Sequence, residues 1–342
     1  MKPLDDLIDR ARADPKRIVL AEGEDPRVIE AAGRAAREGI ARPMLLGRES
    51  EIETQAGARD LALNDIQIVD PGASAHLEAY AACLQELRRH RGMTIEQARE
   101  AAQAPLYFAN LMVRLGDADG SVAGAQYSTA DTVRAAIQVI GVQEGFDLVS
   151  SFFIMMLCEP FHDLKGAMVL ADCGLVVDPD AHELAQIAMA AADNARDLLH
   201  LDPRVAMLSF STKGSAKHAK IDKVNEAAEA VQKLRPGLKI EGEMQLDAAI
   251  IPEIGARKAP GSSLDGPANV LIFPDLQAGN IGYKMMERLG MAKAIGPILQ
   301  GLAKPANDLS RGCNADDVYR VMAVTVAQAQ AVAERTREAA AS

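Results

Sequence analysis

Short apolar runs alternate with stretches of helical period along the first half of the chain. Strands are predicted at 17–23, 42–47, 65–72 and 120–126, and helices at 25–39, 74–92 and 128–141. This alternation of strand and helix is typical of a parallel sheet with helices on both faces.

The second half repeats the pattern with longer apolar runs, at 148–157, 166–173, 204–211 and 269–275. Near-continuous apolar runs suit parallel strands that are covered on both faces, so a second parallel sheet is expected. Helices are predicted at 181–200 and 218–237, and a last helix from Asp316 to about Ala341.

The order of these elements predicts an α/β fold of two domains, each with three layers and a largely parallel sheet. A chain of 342 residues is long for a single core and sufficient for two. The boundary is weakly marked and falls near residues 145–148. Periodicity alone leaves open whether the last helix belongs to the second domain or returns to the first.

The composition narrows the classes of partner. A net charge of −11 and the absence of tryptophan disfavour nucleic acid as a ligand. No stretch approaches the ~20 apolar residues of a membrane helix, and the N-terminal residues lack the apolar segment of a secretory signal. We therefore expect a cytoplasmic protein with no membrane partner. If its substrates are anionic, arginines must reverse the local field at the site.

Neither a metal site nor a common nucleotide-binding motif is predicted. The four cysteines lie far apart without a CxxC pair, and none of the six histidines recurs at metal-ligand spacing. The sequence contains no GxGxxG after the first strand, and no GxxxxGK[ST], GxSxG or HExxH. A nicotinamide dehydrogenase, a P-loop kinase, an α/β-hydrolase and a zinc protease each lose their main support.

Polar groups are concentrated in the segment KPANDLSRGCNADDVYR, residues 304–320. Arg311 offers the planar fork of donors that fits a phosphate, and Ser310 adds a hydroxyl beside it. Asp317 can accept a proton from a thiol or a hydroxyl. Asn314 and Asp317 also have the spacing of a helix-capping box. A cap and a site are compatible, since a capped helix start can also face a ligand.

The segment QYSTADTVR, residues 126–134, follows a strand of small residues and opens a helix. Backbone N–H groups at such a helix start, with the hydroxyls of Ser128 and Thr129, form an anion site or an ordinary N-cap. Arg134 lies within the helix and either turns toward the same anion or faces solvent.

Two further segments carry candidate binding groups. LRRHRG, residues 87–92, ends a helix with clustered cations, either as a clamp for a distant phosphate or as a solvated helix end. FPDLQAGNIGYK, residues 273–284, follows the last predicted strand and supplies Asn280, Tyr283 and Lys284. A structural turn between strand and helix is the alternative there.

Taken together, these segments resemble one family. STADTVR, SSFFIM, ADCG, GEMQLDAA, FPDLQAGNIGYK and KPANDLSRGC occur in the order and at the spacing of the phosphate acetyl/butyryl transferases. The resemblance extends from about Arg17 to the end of the chain. The sequence is most similar to the short members with a single activity.

The resemblance implies a two-domain fold with the active site in the cleft between the domains. The first domain would comprise residues 1–147 and 297–342, because the C-terminal segment returns to it, and the second residues 148–296. The family also implies a homodimer without metal or prosthetic group. Coenzyme A (CoA) and acetyl-CoA are substrates in this family, together with phosphate and acetyl phosphate.

The resemblance also implies a role for each candidate residue. Asp317 matches the general base toward the CoA thiol, Arg311 the group that binds the acyl phosphate, and Ser310 a hydrogen-bonding partner there. The expected activity is reversible acetyl transfer between acetyl-CoA and phosphate, by thiolate attack in a ternary complex. The other matched residues are assigned to substrate binding: Arg88, Arg134, Ser128 and Thr129, and more loosely Asn280, Tyr283 and Lys284 from the second domain.

Two alternatives to the acetyltransferase remain open at this stage. The same residues serve any short acyl group, so a phosphate butyryltransferase or another acyl homologue fits equally. A non-catalytic domain that senses acetyl-CoA is the alternative from a different functional class. The intact set of Ser310, Arg311 and Asp317 disfavours the sensor.

Overall fold

The computed structural model of the chain describes residues 2–341. Its strands, in chain order, are β1 (Lys16–Leu20), β2 (Ala41–Leu46), β3 (Gln67–Val69), β4 (Gly120–Ala123), β5 (Ser150–Leu157), β6 (Gly166–Ala171), β7 (Arg204–Leu208), β8 (Lys239–Met244), β9 (Val270–Ile272), β10 (Lys293–Gln300) and β11 (Ala306–Asp308).

The α-helices alternate with these strands over most of the chain. They are α1 (Lys2–Ala13), α2 (Pro26–Arg37), α3 (Glu49–Gly57), α4 (Leu77–Arg88), α5 (Ile95–Ala102), α6 (Pro105–Leu115), α7 (Thr129–Val139), α8 (Ala181–Leu199), α9 (Ala219–Leu234), α10 (Leu246–Ile250), α11 (Pro252–Lys258), α12 (Leu276–Arg288) and α13 (Ala315–Ala341).

The chain divides into two compact units. The first unit combines Leu4–Glu144 with the chain from Leu302 onward, and the second is built mainly from Gly145–Gly301. Residues 297–300, which the sequence analysis assigned to the first domain, lie in β10 and belong to the second unit. The reason is that β10 pairs antiparallel with β5, with Ile298 opposite Phe152.

The first unit contains a five-stranded sheet in the order β11-β4-β1-β2-β3, and every pair in it is parallel. In the centre of the sheet, Ile18 lies opposite Pro43 on one side and Gly120 on the other. β11 returns late in the chain to the edge beside β4, and α13 packs on α2, β1 and β4. The C-terminal segment is therefore part of this unit.

The second unit contains a six-stranded mixed sheet in the order β10-β5-β6-β9-β7-β8. The pairs β6–β9, β9–β7 and β7–β8 are parallel, but β5 runs antiparallel to both of its neighbours. The expectation of a parallel strand at 148–157 is therefore wrong. Every residue of β5 is buried, and a strand covered on both faces has the same apolar pattern in either direction.

Three strands have no counterpart in the predicted set. β8 carries glutamates at positions 241 and 243, which break the apolar run, and β11 is only three residues long. β10 contains Gly296 and Pro297, which read as turn residues although the strand continues through an irregularity in its register. The α/β class with mostly parallel sheets is nevertheless confirmed.

Between residues 2 and 341, no helix combines the length and apolar character that crossing a membrane requires. The longest helix, α13, carries charged and polar residues along its whole course.

Alternation of strand and helix in the first unit places three loops at one edge of its sheet. The loops after β1, β4 and β11 all leave the carboxyl ends of parallel, adjacent strands. A hydrogen bond from the N–H of Leu309 to the carbonyl of Ala123, at 2.7 Å, joins the last two loops. Polar side chains on these loops are consequently brought close together.

A close backbone contact fixes α12 in the second unit. Gly279 is buried, and a Cβ at this position would lie 2.2 Å from the carbonyl oxygen of Asp172. Gly279→Ala should therefore lower the free energy of unfolding by about 1–3 kcal/mol, because backbone must move to admit the methyl group. Chemical denaturation, monitored by circular dichroism, measures the change.

Gly57→Ala is the matched control, since Gly57 also lies in a helix but has open space where the Cβ would stand. It should leave the protein as stable as wild type or up to about 1 kcal/mol more stable. Equal effects of the two substitutions would contradict the packing argument.

Candidate functional site

Glu22, directly after β1, organises the loop between β4 and α7. Its carboxylate is buried and accepts backbone N–H groups from Ala125 at 2.9 Å, Gln126 at 2.6 Å and Tyr127 at 2.8 Å. Hydrogen bonds from several N–H groups are what a buried carboxylate needs to offset its lost hydration. The loop that precedes α7 is thus held from the neighbouring strand. Glu22 was not among the predicted site residues, because the predicted strand at 17–23 includes it, whereas β1 ends at Leu20.

Arg27, in the first turn of α2, links the loops after β4 and β11 through one guanidinium. One terminal nitrogen donates to the carbonyls of Arg311 at 2.9 Å and Cys313 at 3.0 Å, and the other to the carbonyl of Ala125 at 2.9 Å. Asp25, the N-cap of α2, orients this guanidinium with an ion pair of 2.8 Å. The loop containing Arg311 is therefore fixed to the rest of the unit mainly through its backbone.

The pKa of Asp25 reports the same arrangement. Burial acts to raise it, but hydrogen bonds from Arg27 and Gln126 outweigh burial and hold the pKa below its ordinary value. Asp25 therefore stays ionised and keeps the guanidinium in place.

The loop after β11 turns back on itself before α13 begins. The carbonyl of Ser310 accepts the N–H of Cys313 at 2.9 Å, and the hydroxyl of Ser310 accepts the N–H of Gly312 at 3.3 Å. Asn314 and Asp317 then form a reciprocal capping box, with both bonds at 3.0 Å. The capping-box prediction is confirmed.

Asp317 and Asp316 differ in how far arginines engage them. Asp316 pairs with Arg34 at 2.6 Å and with Arg320 at 2.9 Å. Asp317 lies 3.7 Å from Arg320, has a half-buried carboxylate and uses one oxygen in the cap. Arginines therefore engage the Asp317 carboxylate less closely than the Asp316 carboxylate, and the second oxygen of Asp317 is the more available acceptor.

The Arg311 side chain is exposed at the surface of the loop. Across residues 2–341, no hydrogen bond or ion pair of its guanidinium is present. Its positive charge does reach Asp131, where it contributes to a lowered pKa. The structure thus presents an uncommitted arginine fork beside Ser310.

At the start of α7, Ser128 is the N-cap. Its hydroxyl accepts the N–H of Asp131 at 3.2 Å and donates to the Asp131 carboxylate at 2.6 Å. Arg134 pairs with the same carboxylate at 2.7 Å, and both side chains are about half exposed. The hydrogen bond from Ser128 and then that from Arg134 lower the pKa of Asp131. The N-cap interpretation is confirmed, and Arg134 faces Asp131 in this structure.

Asp308, the last residue of β11, is a buried acid that the sequence analysis did not select. It is 0% exposed and packs against Gly124, where a Cβ would lie 2.3 Å from its Oδ1. Burial raises the pKa of Asp308 to about 6, against the opposing effect of the hydroxyls of Thr129 and Thr132. Those hydroxyls are near, but no contact to the carboxyl has hydrogen-bond geometry.

The remaining candidates lie on α4 and α12. Arg88 is half-buried at the end of α4, and within the described ranges nothing bonds its guanidinium to the loops at the sheet edge. In the second unit, Asn280 donates to the carbonyl of Cys173 at 3.1 Å. Tyr283 stacks on Phe153 with ring centres 4.0 Å apart, and the Lys284 ammonium is 5.8 Å from the Tyr283 ring centre.

Histidine, cysteine, aspartate and glutamate side chains do not gather into a group able to hold a metal ion anywhere in the described part of the chain. The thiols of Cys173 and Cys313 are buried, and burial raises the pKa of both, that of Cys313 to about 11. A thiol with a raised pKa is a poor nucleophile at neutral pH.

Comparison with known proteins places the chain among acyl transferases. The family profile described as Phosphate acetyl/butaryl transferase matches residues 3–326. A protein of Acetivibrio thermocellus named phosphate acetyltransferase is 51% identical over 97% of this chain and 99% of its own length. One of the same name from Clostridium acetobutylicum is 47% identical over 96% and 99%.

Solved structures agree with the sequence comparison. A phosphotransacetylase from Streptococcus pyogenes superposes with a TM-score of 0.90 at 43% identity, covering 96% of this chain and 98% of that one. A phosphotransacetylase from Staphylococcus aureus gives a TM-score of 0.88 at 41% identity.

The raised pKa of Asp308 predicts a pH-dependent stability. An acid whose pKa is higher in the folded state destabilises the fold as pH rises from its unfolded value of 3.8 to about 6. Asp308→Asn removes this charge, so its stability relative to wild type should improve by roughly 2–3 kcal/mol between pH 4 and pH 7. Denaturant midpoints measured across that range test the prediction.

Asp119→Asn provides a control of opposite sign. Hydrogen bonds from Arg17 outweigh burial and lower the pKa of Asp119, so its carboxylate stabilises the fold above its ordinary pKa and not below it. The free energy of unfolding of Asp119→Asn should therefore fall relative to that of wild type as pH rises. If the difference in free energy of unfolding between Asp308→Asn and wild type does not change with pH, the pKa of Asp308 is not raised in the folded state.

Proposed function

The chain belongs to the phosphate acetyl/butyryl transferase family, and we propose that it is a phosphate acetyltransferase. It transfers an acetyl group reversibly between acetyl-CoA and phosphate, giving acetyl phosphate and free CoA. The observation that carries this proposal is 51% identity, over nearly the full length of both chains, to a protein named phosphate acetyltransferase. The arrangement of the loop after β11 supplies the chemistry.

Arg311 binds the acyl phosphate in the proposed mechanism. The protein carries a net charge of −11, so an anionic substrate needs a local positive field. The carboxylate of Glu22 is hydrogen-bonded by backbone N–H groups, and that of Asp25 is paired with Arg27. The guanidinium of Arg311 is exposed and uncommitted within residues 2–341, which suits bidentate contact with phosphate.

Ser310, Ser128 and Thr129 add hydrogen-bond donors, and Arg134 adds charge. Arg134 must exchange Asp131 for the substrate, and this exchange is cheap because exposed ion pairs are worth only ~0–1 kcal/mol. The free N–H groups at the start of α7 favour negative charge in the same way.

Asp317 is the general base for the CoA thiol. A thiol has a pKa of ~8.5, so little thiolate exists at neutral pH without a base. The thiolate attacks the acetyl carbonyl of acetyl phosphate, the tetrahedral oxyanion is stabilised by Arg311, and phosphate leaves. In the reverse direction phosphate attacks acetyl-CoA and the thiolate regains its proton from Asp317.

The remaining binding residues complete the proposal. We assign Arg88, Asn280, Tyr283 and Lys284 to binding of CoA, which enters and leaves as a substrate. The enzyme works without a permanently bound cofactor or metal, as a homodimer in the cytoplasm, in acetate metabolism.

A direct assay tests the proposal. Purified protein is incubated with acetyl-CoA, with and without phosphate, and the free thiol is measured; arsenate replaces phosphate in a parallel sample. Thiol release that requires phosphate or arsenate is expected. Binding of acetyl-CoA without release would instead indicate a sensing domain, and faster turnover of butyryl than of acetyl phosphate would indicate the butyryltransferase.

Asp317→Asn tests the base. The asparagine oxygen can still accept the N–H of Asn314, so the helix cap should be retained. We expect kcat to fall by roughly 10²–10⁴-fold with little change in the KM of either substrate, because only proton transfer is lost. Steady-state kinetics at saturating CoA measure this effect.

Asp316→Asn is the matched control, one residue away on the same helix start but paired with Arg34 and Arg320. It should retain kcat within a few-fold of wild type. If both variants lose activity equally, the loss comes from the shared arginine or from the helix start, and Asp317 is not the base.

A further inference from the structure

Asp308 and Thr132 are buried polar residues whose hydrogen-bonding groups are unsatisfied. Asp308 is 0% exposed and Thr132 is 4% exposed. Within residues 2–341, both carboxyl oxygens of Asp308 and the hydroxyl of Thr132 lack a hydrogen-bond partner. Buried polar groups in folded proteins are nearly always paired, so two such groups side by side require an explanation.

Stability does not explain the pair. A buried polar group without a partner costs free energy, and a buried carboxylate costs more than a neutral group of the same shape. Asparagine has the size of aspartate and would avoid the cost of the charge. The carboxyl at this position therefore works against stability, as strained or perturbed groups at functional sites often do.

The location of Asp308 indicates what it serves. It ends β11 and lies two residues before Ser310 in the loop that Arg27 fixes. Its Oδ1 occupies the space that the absence of a side chain at Gly124 leaves open, just before α7. The hydroxyls of Thr129 and Thr132, on the first turn of α7, favour the charged form of Asp308. Asp308 thus stands between the two segments that carry the proposed phosphate-binding groups.

We propose that Asp308 is a positioning residue for acyl transfer: its ionised carboxylate, buried beside the hydroxyls of Thr129 and Thr132, attracts the start of α7 toward the loop of Ser310 and Arg311. This inference rests on the proposed function. With Asp308 protonated, the attraction between its carboxylate and those hydroxyls weakens and the two segments lose their relative position. A displacement of about 1 Å at a reacting group can cost on the order of 100-fold in rate.

Ionisation of Asp308 then contributes to the acid side of the pH profile. Burial raises the pKa of Asp308 to about 6, the hydroxyls of Thr129 and Thr132 oppose the rise, and the charge of Glu22 adds to it. The N–H of Leu309 also favours the charged form. In the wild type, kcat should fall as pH decreases through about 6, because the proton removes the charge that holds α7.

The experiment compares kcat and KM of wild type, Asp308→Asn and Thr132→Val between pH 5 and pH 9, in the phosphate-dependent assay. Asp308→Asn should lower kcat at pH 7.5 by about 10-fold to 100-fold and lose the part of the acid limb that belongs to Asp308. Thr132→Val removes a hydroxyl that favours the carboxylate, so its acid limb should move to higher pH. Titration of the substrates themselves is common to all samples and cancels.

Asp117→Asn is the control, because Asp117 is a partly buried acid of the same unit that accepts the Tyr80 hydroxyl away from this site. It should leave the acid limb where it is in wild type. The proposal is overturned if Asp308→Asn has the kcat of wild type. It is also overturned if the variant has a lower kcat but the same acid limb as wild type, because Asp308 would then have only a structural role.

If Asp308→Asn does not fold, Thr132→Val decides alone, and an unmoved limb in that variant overturns the proposal. Wild-type protein that shows no phosphate-dependent thiol release contradicts the proposed function instead. The two failures are therefore distinguishable.

Discussion

The first unit depends on the guanidinium of Arg27. Its N–H groups donate to the carbonyls of Arg311 and Cys313 in one loop and of Ala125 in another, and the Asp25 carboxylate pairs with it. Arginine suits this task because its five N–H groups lie in one rigid plane and remain charged at any physiological pH. Together with the hydrogen bond from the Leu309 N–H to the Ala123 carbonyl, these bonds fix the backbone of the loop from which α13 begins.

Each unit has a buried carboxylate, just beyond the carboxyl end of a strand, that accepts several backbone N–H groups. Glu22 follows β1 and accepts three N–H groups of the loop before α7. Asp172 follows β6 and accepts the N–H groups of Ser151, Gly174, Leu175 and Val176. In each case the lost hydration of the charge is replaced by several backbone donors, which ties the loop to the sheet.

The charge balance at the sheet edge follows from the same contacts. Acidic residues outnumber basic residues in the chain, 48 to 37, but the carboxylate of Glu22 is engaged by backbone N–H groups and that of Asp25 by Arg27. The backbone carbonyl of Arg311 accepts a hydrogen bond from Arg27, whereas its side chain is exposed and places a positive charge at the surface of the loop. An acidic protein thereby acquires a local site for an anion without changing its overall charge.

The sequence by itself determined the α/β class, eight of the eleven strands and six of the thirteen α-helices found between residues 2 and 341, and the clustering of Ser310, Arg311 and Asp317. Periodicity and capping are local: Asn314 and Asp317 are three residues apart, and their capping box could be identified from that spacing. The tertiary structure alone decided the direction of β5, the place of β10, and the roles of Glu22, Arg27 and Asp308. The bond from Arg27 to Arg311 joins residues 284 apart, and the burial of Asp308 depends on Gly124 in another strand's loop. Contacts of that kind depend on which strands become neighbours in the sheet, and the order of strands cannot be predicted from the pattern along a single stretch of chain.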